Sequence, residues 1–359
     1  MIHKIKDKLR GFGLLKIVKA FCTVIYPGMR VYMKIINKYG SDTTIFIGQH
    51  PGTGDVYLQS MMLSSYCESK EIYKYVLTVI GVPARKVTEL FHVENVEQLT
   101  LKESNALIRL YKILHDKVNL RINVLHYHPM ELYYDEYIGY LRNYRGLNFF
   151  DMMSLFVFEG AAQKALPDKN NYSEERIEQI FRKYRLKEGA TVLLAPYANS
   201  LNGFSIDFWE KLASSLNKRG YRVCTNSFGL NEPPIKETCG VSIQYKDLIE
   251  FVERAGAIIS LRSGLCDIIS SAKCKKIILY PEQDLYSIMG GLGTSYEYFS
   301  LNRMGLCDDA VEYRVSLKKE SNIKKLKRDI LSNFPDVQNK PLSKSATQTE
   351  GSVNVDSDI

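Results

Sequence analysis

The chain contains two copies of one local pattern: a short apolar strand, a glycine-containing turn and a helix. The first copy runs from Thr43 to Met62 (TTIFIGQHPGTGDVYLQSMM) and the second from Ala257 to Pro281 (AIISLRSGLCDIISSAKCKKIILYP). About two hundred residues separate them, as expected when each of two α/β domains contributes one unit. Ligands of such sheets bind beyond the carboxyl ends of the strands, where helix amino termini offer N–H groups to phosphate. The pattern therefore predicts an α/β protein with two doubly wound, Rossmann-like parallel sheets that face a cleft.

The rest of the chain alternates between short strands and helices and suggests the limits of the two domains. Apolar runs such as TVLLAP, which begins at Thr191, predict strands of the second domain. The tail has little apolar surface to bury and is expected to be disordered. We expect a basic amphipathic helix in residues 1–40, an acceptor-side domain in 41–165, a nucleotide-sugar-binding domain in 174–316, a helix in 317–334 and a disordered tail in 335–359.

The positive charge is concentrated at the amino terminus. Residues 1–38 carry nine of the 48 basic side chains but only one of the 40 acidic ones, so the remainder is balanced at 39 of each. The domains contain no basic stripe with interleaved aromatics, which argues against nucleic acid as a partner. Lys16 and Lys19 interrupt the apolar segment Leu14–Tyr26, which is too short and too charged to span a bilayer and a poor match to a secretory signal. The helix either lies on an anionic membrane surface or packs on the protein with a solvated basic face.

Cysteine and histidine spacing gives no sign of a disulfide framework or a metal site. The seven cysteines are widely spread without a Cys-x-x-Cys pair, which is typical of a reducing compartment and of a cytoplasmic protein. The only Asp-x-Asp sequence is Asp356-Ser357-Asp358 in the tail. His126 and His128 follow a predicted strand and either contact a sugar or are ordinary hydrogen-bonded histidines. We therefore expect no metal and no cofactor.

The first turn, His50-Pro51-Gly52-Thr53-Gly54-Asp55, combines flexibility with an acid. Gly52 and Gly54 permit a tight turn close to a ligand, and Asp55 opens the helix with its carboxylate directed into the cleft. A carboxylate there can take the proton from an acceptor hydroxyl as that oxygen attacks the anomeric carbon of a sugar. The alternative is that Asp55 only caps its helix.

The second turn, Ser260-Leu261-Arg262-Ser263-Gly264, has the composition of an anion cradle. Ser263 and the amide of Gly264 can hold a diphosphate, which Arg262 can neutralise by a bidentate contact. The alternative is a capped helix with an exposed arginine. An acid on one side of the cleft and an anion-binding turn on the other indicate group transfer from a phosphorylated donor. We expect the Gly54-Asp55 corner to face the Ser263-Gly264 corner across a gap that one activated monosaccharide fills.

Together these segments resemble glycosyltransferase family 9, the family of ADP-heptose and related glycosyltransferases, which has the GT-B fold. The resemblance covers Ile45–Met62 and Thr191 to about Gly293 and includes the tryptophan helix SIDFWEKLASSLNKRGYRV. It places the family's general base on Asp55 and its phosphate-contacting Ser/Thr-Gly pair on Ser263-Gly264. It places the nucleotide-contacting acid, a weaker match, on Glu232 and implies that no metal is needed.

Three positions depart from the family pattern. The Asp before Ser/Thr-Gly is Arg262 here, the His three residues after that Gly is Asp267, and a lysine before the tryptophan helix is missing. We interpret this as a rearranged diphosphate site for a donor that need not be ADP-heptose; the alternative is a site that no longer binds nucleotide. The predicted site comprises the base Asp55, the turn His50, Gly52 and Gly54 near the sugar, and the donor-binding residues Asn199, Ser200, Asn202, Glu232, Arg262, Ser263, Gly264 and Asp267.

The resulting prediction is an inverting, metal-independent hexosyl- or heptosyl-type glycosyltransferase. It would move a sugar from a nucleotide-sugar donor to a cell-surface polysaccharide or lipid-linked glycan acceptor, as in lipopolysaccharide or capsule synthesis, at the cytoplasmic face of a membrane. Two other interpretations remain. One is a polysaccharide pyruvyl transferase, which also has two sheets and a Gly-Asp turn; the other is a non-catalytic sugar-binding or scaffold subunit of a polysaccharide assembly complex.

Overall fold

The structure, a computed structural model, describes residues 21–48, 52–91, 93–115, 118–125, 147–169, 172–199, 201, 203–228, 230–282 and 294–337. Within them the strands are β1 Thr44–Ile47, β2 Tyr75–Ile80, β3 Val96–Leu99, β4 Ile122–Val124, β5 Thr191–Ala195, β6 Arg222–Asn226, β7 Cys239–Val241, β8 Gly256–Leu261, β9 Lys275–Pro281 and β10 Val311–Val315. The α-helices are α1 Tyr26–Tyr39, α2 Thr53–Ser69, α3 Gly81–Thr88, α4 Leu101–Leu114, α5 Phe149–Met152, α6 Glu174–Tyr184, α7 Ile206–Lys218, α8 Tyr245–Ala255, α9 Gly264–Ile268, α10 Ser295–Phe299 and α11 Glu320–Ser332.

The amino-terminal sheet is parallel and has the strand order β3-β2-β1-β4. Strand β1 pairs with β2 on one side and with β4 on the other, so the strand order reverses beside β1. Open α/β sheets bind their ligands at such a switch point, beyond the carboxyl ends of the strands. The turn after β1 that carries Gly54 and Asp55 therefore lies where a ligand is expected.

The carboxyl-terminal sheet is also parallel and has the order β10-β9-β8-β5-β6-β7. Its order reverses between β8 and β5, and the turn after β8 carries Ser263 and Gly264. Helix α8 ends at Gly256, whose φ of 98° is the left-handed conformation that glycine adopts most readily. Two doubly wound α/β sheets, as the sequence predicts, are confirmed, and each places its predicted functional turn at its own switch point.

Helix α2 joins the two sheets. Its buried residues run without interruption from Val56 to Leu63, because one side packs under the amino-terminal sheet and the other meets α9. One apolar cluster accordingly contains Phe46 of β1 together with Cys266 and Ile268 of α9. The helix whose first turn carries Asp55 is thus fixed to both domains by burial of apolar surface, the main stabilising contribution in folding.

Helix α1 packs on the amino-terminal domain through one face. Its Val31 and Ile35 are buried, and Gly28 lies so close to α4 that an added methyl group would come within 2.6 Å of Leu110 Cβ. Lys34 and Lys38 both contact Glu97. In residues 26–39 one face of the helix thus packs on the protein, and residues 1–20 lie outside the described part of the chain. No helix within the described ranges is long and apolar enough to cross a membrane.

Candidate functional site

The first corner of the site is the amino terminus of α2. Gly52 precedes the helix in an extended conformation, and Asp55 is the acidic residue of its first turn. A carboxylate is stabilised there by the helix dipole. Asp55 is half-buried and lines the cleft between the two domains. Its place is set by the burial of the helix behind it.

The second corner is the turn between β8 and α9. Strand β8 is buried from Ala257 to Leu261, and α9 begins at Gly264. Ser263 occupies the N-cap position with an extended backbone, but its side chain accepts no capping hydrogen bond from the described first turn. Ser263 and the first residues of α9 line the cleft, and the Ser263 hydroxyl is not engaged in a capping hydrogen bond with its own helix.

The two corners touch each other, so the sequence-based expectation of a sugar-sized gap between them is wrong. A methyl group placed on Gly264 would lie 2.2 Å from Thr53 Oγ1 and 2.5 Å from the Gly54 backbone nitrogen. The backbones meet because glycine at both positions lets helices α2 and α9 approach at their first turns. The joined corners contribute Gly54 and Gly264 to the lining of the cleft.

Arg262 is committed to protein partners, contrary to the prediction that it neutralises a donor diphosphate or lies exposed. Its Nη2 donates to Asp267 Oδ1 at 2.7 Å, its Nη1 to Asp267 Oδ2 at 3.1 Å, and its Nε to the Phe299 carbonyl at 2.8 Å. Nη1 also donates to the Ser263 carbonyl. The Arg262 side chain is 7% exposed and that of Asp267 2%. The two departures from the family pattern in this turn are therefore partners in one buried ion pair.

The cleft has a volume of about 650 Å³ and is lined by both domains. Its lining includes nine of the predicted site residues: Gly52, Gly54, Asp55, Asn199, Glu232, Arg262, Ser263, Gly264 and Asp267. His50, Ser200 and Asn202 lie outside the described residues, as do His126 and His128. Arg262 is the only basic side chain among the described lining residues.

The carboxyl-terminal wall also contains residues that the sequence did not single out. Asn226 ends β6, is 8% exposed, and its Oδ1 has no hydrogen-bond partner within the described structure. Phe228 and Tyr245 line the same region, and burial raises the pKa of both Tyr245 and Glu232. The signal that could have identified Asn226 is its place at the end of the run RVCTN, at the sheet edge where the predicted site turns also lie.

Titratable groups in the described ranges include no cluster of three His, Cys, Asp or Glu side chains with the geometry of a metal site. The seven cysteines are all free thiols. His115, at the end of α4, contacts the Tyr111 carbonyl at 3.1 Å and is not among the residues that line the cleft.

Comparisons with known proteins identify similar folds but no close relative. No protein-family model and no curated protein sequence matches the chain. The solved structure of the ADP-heptose lipopolysaccharide heptosyltransferase II of E. coli aligns with 80% of this chain and 98% of its own, with a TM-score of 0.51 at 11% identity. A glycosyl transferase family 9 structure from Veillonella parvula aligns with 80% of this chain and 90% of its own at 14% identity, with a TM-score of 0.44. At such identities the first likeness shows a shared fold, and the chain thus has the two-domain GT-B architecture that the sequence predicts.

Proposed function

We propose that the chain is an inverting, metal-independent glycosyltransferase that uses a nucleotide-sugar donor. One observation carries the proposal: Asp55 from the first sheet and the Ser263-Gly264 turn from the second line the same cleft. A base and an anion cradle at the switch points of two facing sheets are what transfer from a diphosphate donor requires.

In the proposed reaction, the Asp55 carboxylate takes the proton of an acceptor hydroxyl. The oxygen attacks the anomeric carbon while the bond from that carbon to the diphosphate oxygen breaks on the opposite face. A single displacement inverts the configuration, and the leaving nucleoside diphosphate keeps the bonding electrons. Backbone N–H groups of α9 and the Ser263 hydroxyl stabilise the charge that develops on the leaving group.

Metal independence is supported by the sequence and by the backbone N–H groups at the start of α9. The only Asp-x-Asp sequence lies at 356–358, in the predicted tail. The donor charge would be met by helix amino termini instead of by a divalent ion. Unchanged turnover in EDTA would support this assignment, and recovery only on addition of Mg²⁺ or Mn²⁺ would contradict it.

The acceptor is proposed to be a glycan or lipid-linked glycan at the cytoplasmic face of a membrane. The basic excess of residues 1–38 supports this, together with the exposed apolar side chains of Phe21, Tyr26 and Met33 at the start of the described chain. Amphipathic segments of this kind bind anionic bilayers through both contributions. Sedimentation of the protein with phosphatidylglycerol vesicles, compared with neutral vesicles, measures this binding to anionic bilayers directly.

The central test combines Asp55→Asn with ligand binding. The variant should lose donor hydrolysis and transfer by at least about 100-fold, the lower range for a general base, while a nucleoside diphosphate still raises its melting temperature. Asp207→Asn is the matched control, because Asp207 also lies in the first turn of a helix but is solvent-exposed. Full turnover in Asp55→Asn would refute the base assignment.

A thermal-shift panel distinguishes the other interpretations. Stabilisation by one of UDP, GDP, ADP, CMP or dTDP is expected for the glycosyltransferase. Stabilisation by phosphoenolpyruvate alone would favour a pyruvyl transferase. A protein that no nucleotide stabilises at millimolar concentration would instead be the non-catalytic binding subunit.

A further inference from the structure

The buried ion pair between Arg262 and Asp267 lies against the turn that carries the proposed base. A methyl group placed on Gly54 would come within 2.6 Å of Asp267 Oδ2, so this carboxylate oxygen packs directly on the Gly54 backbone. Asp55 is the next residue along the chain. The carboxylate of the pair thus faces the base-bearing turn through Oδ2, while the guanidinium donates to both of its oxygens.

The guanidinium is itself held in place from several directions. Beyond its contacts with Asp267 it donates to the Phe299 carbonyl, and its guanidinium carbon lies 5.7 Å from the centre of the Phe299 ring. The Tyr280 hydroxyl donates to Glu312 Oε1 at 2.5 Å and lies 3.2 Å from the same Phe299 carbonyl oxygen. A planar guanidinium fixed in this way presents a bidentate fork to one carboxylate in one orientation.

Three further titratable groups in the described part of the chain face the pair. They are Tyr57 of α2, Tyr280 of β9 and Cys266 of α9, and burial raises the pKa of each. All three are therefore neutral near pH 7. Among the described residues, the charges that act on the pair include those of Arg262 and Asp267 themselves and of Asp55, and Glu312 lies behind Tyr280. Burial raises the pKa of Asp267, Arg262 opposes that effect, and the negative charge of Asp55 adds to it.

We propose that Arg262 and Asp267 are positioning residues for the base: Arg262 holds the Asp267 carboxylate against Gly54, where it fixes the Asp55 turn and keeps a negative charge beside it. This inference rests on the proposed function, because it gives the pair a role in proton removal by Asp55. Like charges at close range disfavour ionisation of both, and the charges of Asp55 and Asp267 interact, so removal of the Asp267 charge should make Asp55 a weaker base. A stronger base removes the acceptor proton more readily at neutral pH.

The effect of each substitution has a definite sign. Asp267→Asn removes the negative charge and leaves the Arg262 cation, so the acid limb of the kcat/KM profile for donor turnover should move down by about one pH unit. The double variant Arg262→Gln/Asp267→Asn removes both charges. Asp267 contacts the Gly54 turn directly, whereas Arg262 contacts it only through Asp267. The acid limb of the double variant should therefore move in the same direction as that of Asp267→Asn, but by a smaller amount.

The chain offers a matched control in a second ion pair. Asp247 is also nearly fully buried and accepts two hydrogen bonds at 2.8 Å from Arg176, but neither residue lines the cleft. Asp247→Asn should lower stability without moving the acid limb.

The outcomes separate this inference from the proposed function. Loss of turnover in Asp55→Asn supports the base, and an acid limb that falls in the order wild type, double variant, Asp267→Asn then supports the positioning role. An acid limb that moves by less than about 0.2 pH units in both variants, with Asp55→Asn inactive, overturns the positioning role alone. The double variant keeps the test valid if Asp267→Asn does not fold, since removing both partners leaves no unpaired buried charge.

Discussion

Substitution of Gly264 by alanine tests the contact between the two corners. The new methyl group would lie 2.5 Å from the Gly54 backbone nitrogen, whereas ordinary contacts begin near 3.4 Å. The first turns of α2 and α9 would therefore have to separate by about 0.9 Å. Overpacking of this kind costs about 1–3 kcal/mol, against which the higher helix propensity of alanine returns at most about 1 kcal/mol.

The expected result is a loss of about 2 kcal/mol in the free energy of unfolding and a much larger loss of activity. Since a displacement of about 1 Å in a catalytic constellation can lower turnover about 100-fold, transfer should fall by that order. Urea denaturation and donor-turnover assays on the same preparation measure the two effects. Activity should thus fall further than stability alone explains.

Two further variants sharpen the test. At Gly203 an added methyl group would meet Leu261 Cδ2 at 3.6 Å, an ordinary contact, so Gly203→Ala should stay within about 0.5 kcal/mol of the parent. Adding Thr53→Ala to Gly264→Ala removes the clash with Thr53 Oγ1 but not the one with the Gly54 backbone, so only part of the loss should be recovered. A Gly264→Ala protein as stable and as active as Gly203→Ala would show that the backbones do not meet.

Two other predictions concern groups away from the corners. Burial opposes ionisation of Glu97, but the hydrogen bonds from Lys38 and Lys34 outweigh it and lower the Glu97 pKa. The stabilisation of the fold by ionised Glu97 is therefore present above the pKa of the unfolded state and is lost as the pH falls through the pKa of the folded state. In urea denaturation, Glu97→Gln should cost about 1 kcal/mol at pH 7 and little near pH 3. The neighbouring Cys224 thiol and the Arg222 charge lower the pKa of Cys239, although burial opposes them. In a Cys22→Ser background, iodoacetamide should alkylate Cys239 with a midpoint below that of an ordinary thiol while buried Cys224 needs denaturant, and an ordinary or higher midpoint by mass spectrometry would contradict this.

The sequence predicts the central strands and long helices well because they carry complete local signals. The apolar runs at Thr191 and Ala257 become β5 and β8, and the tryptophan helix becomes α7, Ile206–Lys218. Strands β3, β7 and β10 lack such a signal. Each pairs on one side only and has three to five residues, so its pattern contains no long apolar run.

The contacts that make the site could not be predicted in the same way. Glycines at 54 and 264 indicate that something approaches the backbone closely, but the identity of the neighbour depends on how two domains pack. The pairing of Arg262 with Asp267 also depends on how the chain packs and not on a local sequence pattern. Five residues apart, the two side chains meet only because a strand end turns sharply into α9 and the Phe299 carbonyl fixes the guanidinium.

The closed corners also determine what charge the proposed donor would meet. A diphosphate brings at least two negative charges, yet the only basic side chain among the described lining residues already neutralises Asp267. The remaining positive potential comes from the amino termini of α2 and α9, each equivalent to at most about half a charge and effective only within its first turn. Because those first turns touch, their N–H groups act on one region of the cleft. Any change that separates the corners at Gly54 and Gly264 should therefore weaken nucleotide binding together with turnover.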